Sequence, residues 1–263
     1  MNTFPIGIID SGLGGLTIWR EIVTLLRHES TVYLADHQHL PYSNKKTYDI
    51  RNYVTKLIKL LIHMKVKIIV IACNTATVAG IDWYRKKFPT IPIVGVVPVV
   101  KTASNISKTR RFAVLSTFFT AKSGYQKKLI QTFAADCDVY SIGIGDLVTT
   151  IEEGDIDSPK ISRLLKNKLL PILKRNIDVI ALGCTHFPLV ASCIRDIVGE
   201  DIAIVDSGSA VARQIVRILQ NRSEFSESKK VTHDFFTTGN ATKISRVVAK
   251  LIQKQIYFTH VNI

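Results

Sequence analysis

The sequence lacks the features that would place it outside the cytoplasm. It has no apolar run long enough to cross a lipid bilayer. Its first residues, 1–5, lack the basic region of a secretory signal and lead directly into a predicted strand. Cysteine is scarce, with four among 263 residues. We therefore expect a soluble cytoplasmic protein whose cysteines stay reduced and form no disulfide bonds.

Acidic residues are also few: 21 Asp and Glu stand against 35 Lys and Arg, which gives a net charge of +14. A strongly basic protein is a candidate for nucleic-acid binding. The basic residues are, however, spread over several segments, and no strip of aromatic residues accompanies them. The pattern is typical of a solvated surface, while attraction of acidic small molecules or weak binding of polyanions stays open.

Apolar runs that alternate with amphipathic stretches predict an α/β protein with parallel sheets. The predicted strands cover residues 5–10, 31–35, 67–72, 91–97, 111–115, 138–140, 177–182 and 202–205. Helical patterns occur at residues 54–62, 121–133, 160–174, 189–198, 210–219 and 242–253. The length of 263 residues permits one large domain or two smaller ones.

Internal repeats favour two pseudo-symmetric lobes, each a mostly parallel sheet flanked by helices, with the active site in the cleft between them. Ile8–Gly12 and Ile204–Gly208 are near copies of one another. We expect a first lobe of residues 1–97 plus 207–263 and a second lobe of residues 98–206. The tail should return to the first lobe, and the polar segment 221–230 is the candidate for a mobile loop.

A second repeat contains the residues that suggest chemistry. Lys67–Thr75 and Asp178–His186 each run from an apolar stretch into a cysteine, Cys73 or Cys184, flanked by small polar residues. Ligands of open α/β sheets bind just beyond the carboxyl ends of such strands. Two thiols delivered in this way predict a matched acid/base pair that faces one substrate.

Each of these thiols needs a neighbour to act as a base, because a free thiol with a pKa of about 8.5 is mostly protonated at neutral pH. Asp10 ends a parallel strand and is the candidate partner of Cys73. His186 is the candidate partner of Cys184, with Glu152 or Glu153 on the same side.

Other residues are interpreted as structural or solvent-exposed. A zinc site is a weak alternative, because the Cys184–His186 pair has no second ligand pair at finger-like spacing. Cys137 and Cys193 lack the strand-then-polar context and are interpreted as packing residues. His37 and His39 lie in a loop that either borders the cleft or is simply solvated.

A glycine-rich loop follows the first predicted strand at Asp10–Gly15. Its glycines allow a tight turn whose backbone N–H groups can approach an anion. The spacing is not that of a dinucleotide site, and no acidic residue about 20 positions later ends a second strand in the way usual for ribose binding. A small carboxylate is the better ligand for this loop.

Several motifs, in order along the chain, resemble those of bacterial glutamate racemases. They are residues 8–17, 41–42, 72–76 and 182–189, together with Gly95–Pro98, Thr117, Thr120, Ile151–Gly154, Asp206–Gly208 and Thr237–Gly239. The cysteine motifs are typical of the wider aspartate/glutamate racemase superfamily. Within that superfamily, the Asp10–Gly12 loop and Gly183–His186 resemble the glutamate racemases specifically.

The resemblance implies an isomerase that interconverts L- and D-glutamate without a cofactor or a metal and supplies D-glutamate for peptidoglycan. One cysteine thiolate removes the Cα proton while the other cysteine, as a thiol, returns one to the opposite face. Carried over here, Cys73 deprotonates D-glutamate with help from Asp10. Cys184 deprotonates L-glutamate with help from Glu152 and His186. The implied substrate-binding residues are Asp10, Ser11, Pro41, Tyr42, Ser43, Asn74, Thr75, Thr117, Thr120, Thr185 and His186.

The resemblance also bears on partners and on substrate choice. Dimers are usual in this family, and Gly95–Pro98 resembles the form found in members activated by a peptidoglycan precursor. Some members are thought to bind DNA gyrase, which is a further role to consider. This chain has Ser43 and Phe119 where the family usually has glycine. Aspartate or another acidic amino acid therefore stays open as the substrate.

Overall fold

The computed structural model describes residues 2–96 and 99–263. The strands are β1 (Ile6–Asp10), β2 (Thr31–Ala35), β3 (Ile68–Ile71), β4 (Ile93–Gly95), β5 (Arg111–Ser116), β6 (Asp138–Gly143), β7 (Val179–Leu182), β8 (Ala203–Val205), β9 (His233–Thr237) and β10 (Thr259–His260). The predicted end of the strand 91–97, the second half of the Gly95–Pro98 motif and the predicted lobe boundary fall on Val97 and Pro98, which lie outside the described residues.

Helices connect the strands. They are α1 (Leu16–Leu25), α2 (Thr47–His63), α3 (Asn74–Lys87), α4 (Val100–Ile106), α5 (Phe118–Ala121), α6 (Gly124–Phe133), α7 (Asp146–Glu152), α8 (Pro159–Leu173), α9 (Ala191–Val198), α10 (Gly208–Arg222) and α11 (Ala241–Ile252). Short 3-10 helices cover Tyr42–Asn44 and Phe187–Val190. Among the residues described, no helix combines the length and the apolar character needed to cross a membrane.

The first of two compact units contains residues 2–96 and Gly208–Ile263. Its parallel sheet has the strand order β10-β9-β2-β1-β3-β4. Every residue of β1, β2 and β3 is buried, which is why their sequences are nearly continuous apolar runs: helices cover both faces of such a sheet. In this unit α1 packs against α10 and α2 packs against α3.

The polar segment after α10, which we expected to be mobile, is held at two points. Lys67 and Glu29 form a buried ion pair with 2.6 Å between Nζ and Oε2. Lys67 Nζ also donates to the carbonyl of Glu224 at 2.7 Å, and Ser226 N donates to Glu29 Oε1 at 2.8 Å. These bonds satisfy a buried charge pair and at the same time fix the path of the chain into β9.

The second unit contains residues 99–207 and a parallel sheet of order β6-β5-β7-β8. One face of the sheet carries a large cluster that includes Leu115 and Ile180 and is covered by α7, α8 and α9. The other face carries Phe112, Val114 and Val179 beneath α4 and α6. The predicted fold class, two lobes of parallel sheet flanked by helices, is confirmed.

Candidate active site

The two cysteines singled out by the sequence occupy equivalent positions in the two sheets. The strand order β2-β1-β3-β4 of the first unit matches β6-β5-β7-β8 of the second. Ile71 ends β3 and pairs with Ile9, while Leu182 ends β7 and pairs with Leu115. Cys73 and Cys184 each lie two residues beyond these strand ends, and each is only 6% exposed. Each sheet therefore presents one buried thiol, which forms no disulfide bond, at its carboxyl edge.

The groups beside the two thiols are different. Asp10 lies one residue beyond Ile9 in β1, whereas the equivalent residue of β5, one beyond Leu115, is Ser116. The second unit therefore lacks a carboxylate at the position of Asp10. Its charged partner for Cys184 comes from other elements, as described below.

The start of α3 presents Cys73 for reaction. Cys73 is the N-cap of this helix, and its Sγ accepts a hydrogen bond from the backbone N–H of Ala76 at 3.5 Å. The partial positive charge of a helix N-terminus stabilises an anion placed there. Thiolates are stabilised in the same way. The fold thus favours the reactive form of this sulfur.

The glycine-rich loop does bind a carboxylate, but the carboxylate belongs to the chain itself. The N–H groups of Ser11 and Gly12 donate to Asp10 Oδ1 at 2.5 and 3.4 Å, and Gly15 N donates to Oδ2. Asp10 is fully buried, and bonds of this kind favour its ionised form. The loop thus fixes the Asp10 side chain, and its role as a site for a substrate carboxylate stays a prediction.

Ser11 connects Asp10 with Cys73. Its hydroxyl lies 3.1 Å from Asp10 Oδ1 and 3.6 Å from Cys73 Sγ. A hydroxyl can donate and accept at the same time. This bridge is therefore a route along which Asp10 can influence the charge and the proton of Cys73.

Cys184 belongs to a chain of three buried groups. Its Sγ lies 3.9 Å from Nδ1 of His186, and Nε2 of His186 lies 2.5 Å from Oε1 of Glu152. Burial lowers the pKa of His186, but the hydrogen bonds with Cys184 and Glu152 raise it well above the ordinary value. An imidazole with a raised pKa next to a sulfur can hold a proton for exchange. Of the two glutamates left open by the sequence, Glu152 makes this contact and Glu153 is exposed.

Asn74, the first residue of α3, has an unusual buried amide. Its side chain is 3% exposed, and neither its Nδ2 nor its Oδ1 has a hydrogen-bond partner in the described part of the chain. A buried amide without partners is costly in a folded protein, and it requires an explanation. A ligand that bonds both atoms would supply one.

The remaining expected binding residues lie in loops that follow strands or in the first turns of the next helices. In the second unit Thr117 is the N-cap of α5 and its Oγ1 accepts from Thr120 N at 3.3 Å. Thr75 and Thr185 are buried directly after Asn74 and Cys184. Pro41 and Ser43 are half-buried on either side of Tyr42.

Sequence reasoning missed Asp36, a fully buried carboxylate that organises the Pro41–Ser43 segment. It accepts hydrogen bonds from Tyr42 Oη at 2.7 Å and from Thr238 Oγ1 at 2.9 Å, and His39 Nδ1 lies 2.8 Å away. Burial, followed by the charge and the hydrogen bond of Asp36, raises the pKa of Tyr42 well above its usual value. The signal was present: Asp36 follows β2 just as Asp10 ends β1, and Asp10 pairs with Ala35.

The residues interpreted as structural or solvent-exposed are largely packed. His39 stacks on Tyr53 with 3.7 Å between ring centroids, and His37 Nδ1 lies 2.8 Å from Thr237 Oγ1. Cys137 and Cys193 are half-buried against the hydrophobic clusters of the second unit. Within residues 2–96 and 99–263, no group of three or more His, Cys, Asp or Glu side chains is arranged to hold a metal ion.

Comparison with known proteins decides the family. The Asp/Glu/hydantoin racemase family model matches residues 6–215. The glutamate racemase of Cupriavidus pinatubonensis is 39% identical over 254 residues, which cover 96% of this chain and 93% of that protein. The chain belongs to the glutamate racemases of this family. The predicted resemblance is thereby confirmed.

Solved structures of the family agree over the full length. Glutamate racemase isoform RacE1 from Bacillus anthracis has a TM-score of 0.92 at 30% identity and covers 100% of this chain, with 98% of its own chain matched. The Escherichia coli glutamate racemase, solved in complex with L-glutamate and the activator UDP-MurNAc-ala, has a TM-score of 0.84 at 29% identity. That match covers 98% of this chain and 97% of the Escherichia coli chain.

Proposed function

We propose that this protein interconverts L- and D-glutamate by moving the Cα proton between two sulfurs, Cys73 and Cys184, without a cofactor. The observation that carries the proposal is the equivalent placement of two buried thiols at the carboxyl edges of two matched sheets. Inversion at a carbon atom needs a base on one face and an acid on the other. Because both groups are thiols, each can act as the base in one direction of the reaction and as the acid in the other.

The chemistry is difficult because the Cα carbanion lies beside a carboxylate and no cofactor ring absorbs its charge. A turnover of about 1 per second corresponds to a barrier of roughly 17 kcal/mol. A base, an acid and hydrogen-bond donors that are already in position in a water-poor site can provide much of the reduction of the barrier to this value. The near-complete burial of both sulfurs fits this requirement. The mechanism further requires that both sulfurs reach opposite faces of one Cα carbon.

The two half-reactions use different helper groups. Cys73 takes the proton of D-glutamate, supported by the helix N-terminus of α3 and by Asp10 through the Ser11 hydroxyl. Cys184 takes the proton of L-glutamate with support from His186. The imidazole of His186 is in turn hydrogen-bonded to Glu152. In each direction, the second thiol donates its proton to the opposite face and its helper group stabilises the thiolate that remains.

The substrate is an amino acid with one ammonium and two carboxylate groups. The two unpaired amide atoms of Asn74 can accept from the ammonium and donate to a carboxylate. We assign further substrate contacts to the binding residues predicted from the sequence: Asp10, Ser11, Pro41, Tyr42, Ser43, Thr75, Thr117, Thr120, Thr185 and His186. Glutamate is preferred over aspartate in this proposal because the curated relatives are glutamate racemases. Comparing rates on the two amino acids tests this preference.

Isotope exchange tests the reaction itself. The purified protein is incubated with L-glutamate in D2O without pyridoxal phosphate. Early in the reaction the D-glutamate formed should carry deuterium at Cα, because the thiol that protonates it has exchanged with solvent. The remaining L-glutamate should still carry protium. Absence of D-glutamate, or equal labelling of both enantiomers from the start, contradicts the two-thiol mechanism.

Four matched variants test the assignment of the thiols. Cys73→Ser and Cys184→Ser should each lower kcat by about 10²–10⁴-fold, since each removes one acid/base group. Cys137→Ser and Cys193→Ser change half-buried cysteines that do not follow the end of a strand, so their kcat should stay within about twofold of the wild-type value. Full activity of either variant in the first pair would refute the proposal.

Four further properties are proposed with this function. A homodimer is proposed because dimers are usual in this family. Activation by a peptidoglycan precursor is proposed because Gly95–Pro98 resembles the form found in activated members, and the Escherichia coli relative was solved with the activator UDP-MurNAc-ala. The product would enter peptidoglycan synthesis. Free thiols that must stay reduced suit a cytoplasmic location.

A further inference from the structure

Phe118, the first residue of α5, is a half-exposed aromatic residue whose ring lies directly against two glycines. A Cβ atom added at Gly143 would meet Cδ1 of this ring and would lie 3.1 Å from its Cε1 and from the Cα of Phe118. A Cβ atom added at Gly145 would lie 2.8 Å from Cδ2 and 2.9 Å from Cε2 of the same ring. A side chain at either position would therefore have to displace the ring.

The space that the ring needs, and not the backbone, accounts for these glycines. Gly145 has φ −76° and ψ −51°, which other residues adopt without strain. Gly143 ends β6, where it pairs with Ser116, and its φ is not positive either. A glycine in a strand often marks the close approach of another group. Here the group is the ring of Phe118.

The ring lies where β5, β6 and α7 meet. β5 ends at Ser116, whose carbonyl accepts a hydrogen bond from Ile144 N at 2.8 Å, so the pairing of the two strands continues past the end of β6. Phe118 follows Ser116 by two residues, and its ring folds back over this junction. Gly145 is the N-cap of α7, the helix that ends at Glu152. The ring thus connects the start of α5 with the β6–α7 junction.

α5 depends on such contacts because four residues are too few to form a stable helix alone. At its start, Thr117 Oγ1 accepts from Thr120 N at 3.3 Å, and the two threonine hydroxyls lie 3.2 Å apart. At its end, Ser123 Oγ donates to the Thr120 carbonyl at 2.7 Å and accepts from Gln126 N at 3.1 Å. These last bonds hold the end of α5 to α6, while the Phe118 ring holds its start to β6.

We propose that Phe118 is a positioning residue for substrate binding. Its ring, packed on Gly143 and Gly145, holds α5 so that the hydroxyls of Thr117 and Thr120 are in place for a carboxylate group of the substrate. This role rests on the proposed function, which assigns both threonines to the substrate. Hydroxyls donate to carboxylate oxygens, and a donor that is already fixed loses less conformational freedom when the ligand binds.

Steady-state kinetics of Phe118→Ala tests the proposal. KM for L- and D-glutamate should rise about 3–10-fold while kcat stays within about twofold, because the loss affects binding and not proton transfer. Phe133→Ala is the matched control: Phe133 ends α6 in the same unit, is 37% exposed against 48% for Phe118, and should leave both parameters within about twofold. An unchanged KM in the Phe118 variant, or a fall in kcat alone, overturns the proposal.

Gly145→Ala tests the same contact from the other side. Apart from neighbouring backbone, a Cβ atom there would meet only the two Phe118 ring atoms within 4 Å among the described residues. The half-exposed ring can swing outward, so the fold should survive. KM should rise about 3–10-fold in the wild-type background but less than about twofold in the Phe118→Ala background, where no ring is present. Equal effects in the two backgrounds overturn the proposal.

Gly124→Ala is the control for this cycle. Gly124 also lies at the start of a helix in the second unit, and nothing lies within 4 Å of its added Cβ. KM should stay within about twofold in both backgrounds. A rise in KM as large as that of Gly145→Ala would mean that any added methyl group disturbs this region, which also overturns the proposal.

Binding without turnover separates this role from the proposed function. The Kd of D-glutamate is measured by calorimetry in the Cys184→Ser background, and Phe118→Ala should raise it about 3–10-fold. An unchanged Kd with a lowered melting temperature would make Phe118 a packing residue and overturn the proposal. If the wild-type protein binds glutamate without racemising it, the proposed function fails, while the Kd values still decide the role of Phe118. If it does not bind glutamate, both proposals fail.

Discussion

Nε2 of His186 lies 2.5 Å from Oε1 of Glu152, and both side chains are almost fully buried. Burial lowers the pKa of His186, but the bonds to Cys184 and Glu152 raise it well above the ordinary value. A histidine whose pKa is raised by folding stabilises the protein fully below its unfolded pKa of about 6.5. This stabilisation is lost as the pH rises through the raised pKa of the folded state.

Glu152→Gln should therefore destabilise the protein in a pH-dependent manner. At about pH 6 the loss of the charged hydrogen bond should lower the free energy of unfolding by roughly 1.5–3 kcal/mol. The difference from the wild type should shrink as the pH is raised into the alkaline range. Urea unfolding between about pH 6 and pH 10 measures it. Glu153→Gln, at the exposed neighbouring residue, is the control, and a loss independent of pH would contradict the expectation.

Ser11→Ala removes the hydroxyl that bridges Asp10 and Cys73. We expect kcat/KM to fall by about tenfold, because one hydrogen bond of roughly 1.4 kcal/mol is lost from the transition state. L- and D-glutamate have equal free energies, so kcat/KM must fall by the same factor in both directions. Ser104→Ala is the matched control, because Ser104 Oγ also lies 3.6 Å from a cysteine sulfur, that of Cys137. Equal effects of the two variants would show that the bridge has no catalytic role.

Gly15→Ala should displace Asp10. The added Cβ would lie 2.7 Å from Asp10 Oδ2 and 2.8 Å from Tyr33 Oη, closer than such atoms can approach. We expect kcat to fall by about tenfold or more and the melting temperature to fall with it. Gly124→Ala is the control because nothing lies within 4 Å of its added Cβ. It should be neutral or stabilise α6 by up to about 1 kcal/mol. Wild-type kinetics in the Gly15 variant would show that the position of Asp10 is not critical.

Tyr42→Phe should destabilise the protein, because it takes away one of the donors that compensate the buried Asp36 carboxylate. The expected loss in the free energy of unfolding is about 1.5–3 kcal/mol, the usual value for a hydrogen bond to a charged group. Chemical denaturation at about pH 7 provides the measurement. Thr238→Val removes another donor to Asp36. In a double-mutant cycle, the loss in the free energy of unfolding of the double variant should differ from the sum of the two single losses. Additive losses would mean that the two donors act independently.

Much of the fold could be predicted because its central strands are uninterrupted apolar runs. The observed strand β2 has the predicted bounds, β1 is one residue shorter than predicted at its start, and β3 is one residue shorter at each end. α4 and α7 were not predicted, since seven residues hold too few turns to reveal a helical period. Without α7, residue patterns left Glu152 and Glu153 as equal candidates, and only the family resemblance selected Glu152, the residue that contacts His186.

The repeats were informative to different degrees. The cysteine repeat marks equivalent strand ends, because Cys73 follows β3 and Cys184 follows β7 at the same position of the strand order. The repeat formed by Ile8–Gly12 and Ile204–Gly208 does not mark equivalent positions. Asp10 ends an internal strand and is buried, whereas Asp206 follows the edge strand β8 and is exposed. The pairing of strands decides which of the two repeats marks equivalent structural positions. A single sequence does not contain that pairing.

Contacts that cross long stretches of chain could not be predicted either. Asp36 and Thr238 are 202 residues apart, and nothing local in either segment indicates the bond. Similarly, the polar segment after α10 looks like a mobile loop until the buried Lys67–Glu29 pair is known.

The placement of β9 beside β2 has a consequence for synthesis on the ribosome. β2 leaves the ribosome about 200 residues before its neighbour, which at roughly 5–20 residues per second is a delay of about 10–40 s. During that interval the 99–207 unit can finish folding while β2 remains an unpaired edge. An unpaired edge is the kind of surface to which chaperones bind and at which nascent chains aggregate. Slow or interrupted translation between residues 99 and 233 would therefore harm this protein more than pauses elsewhere.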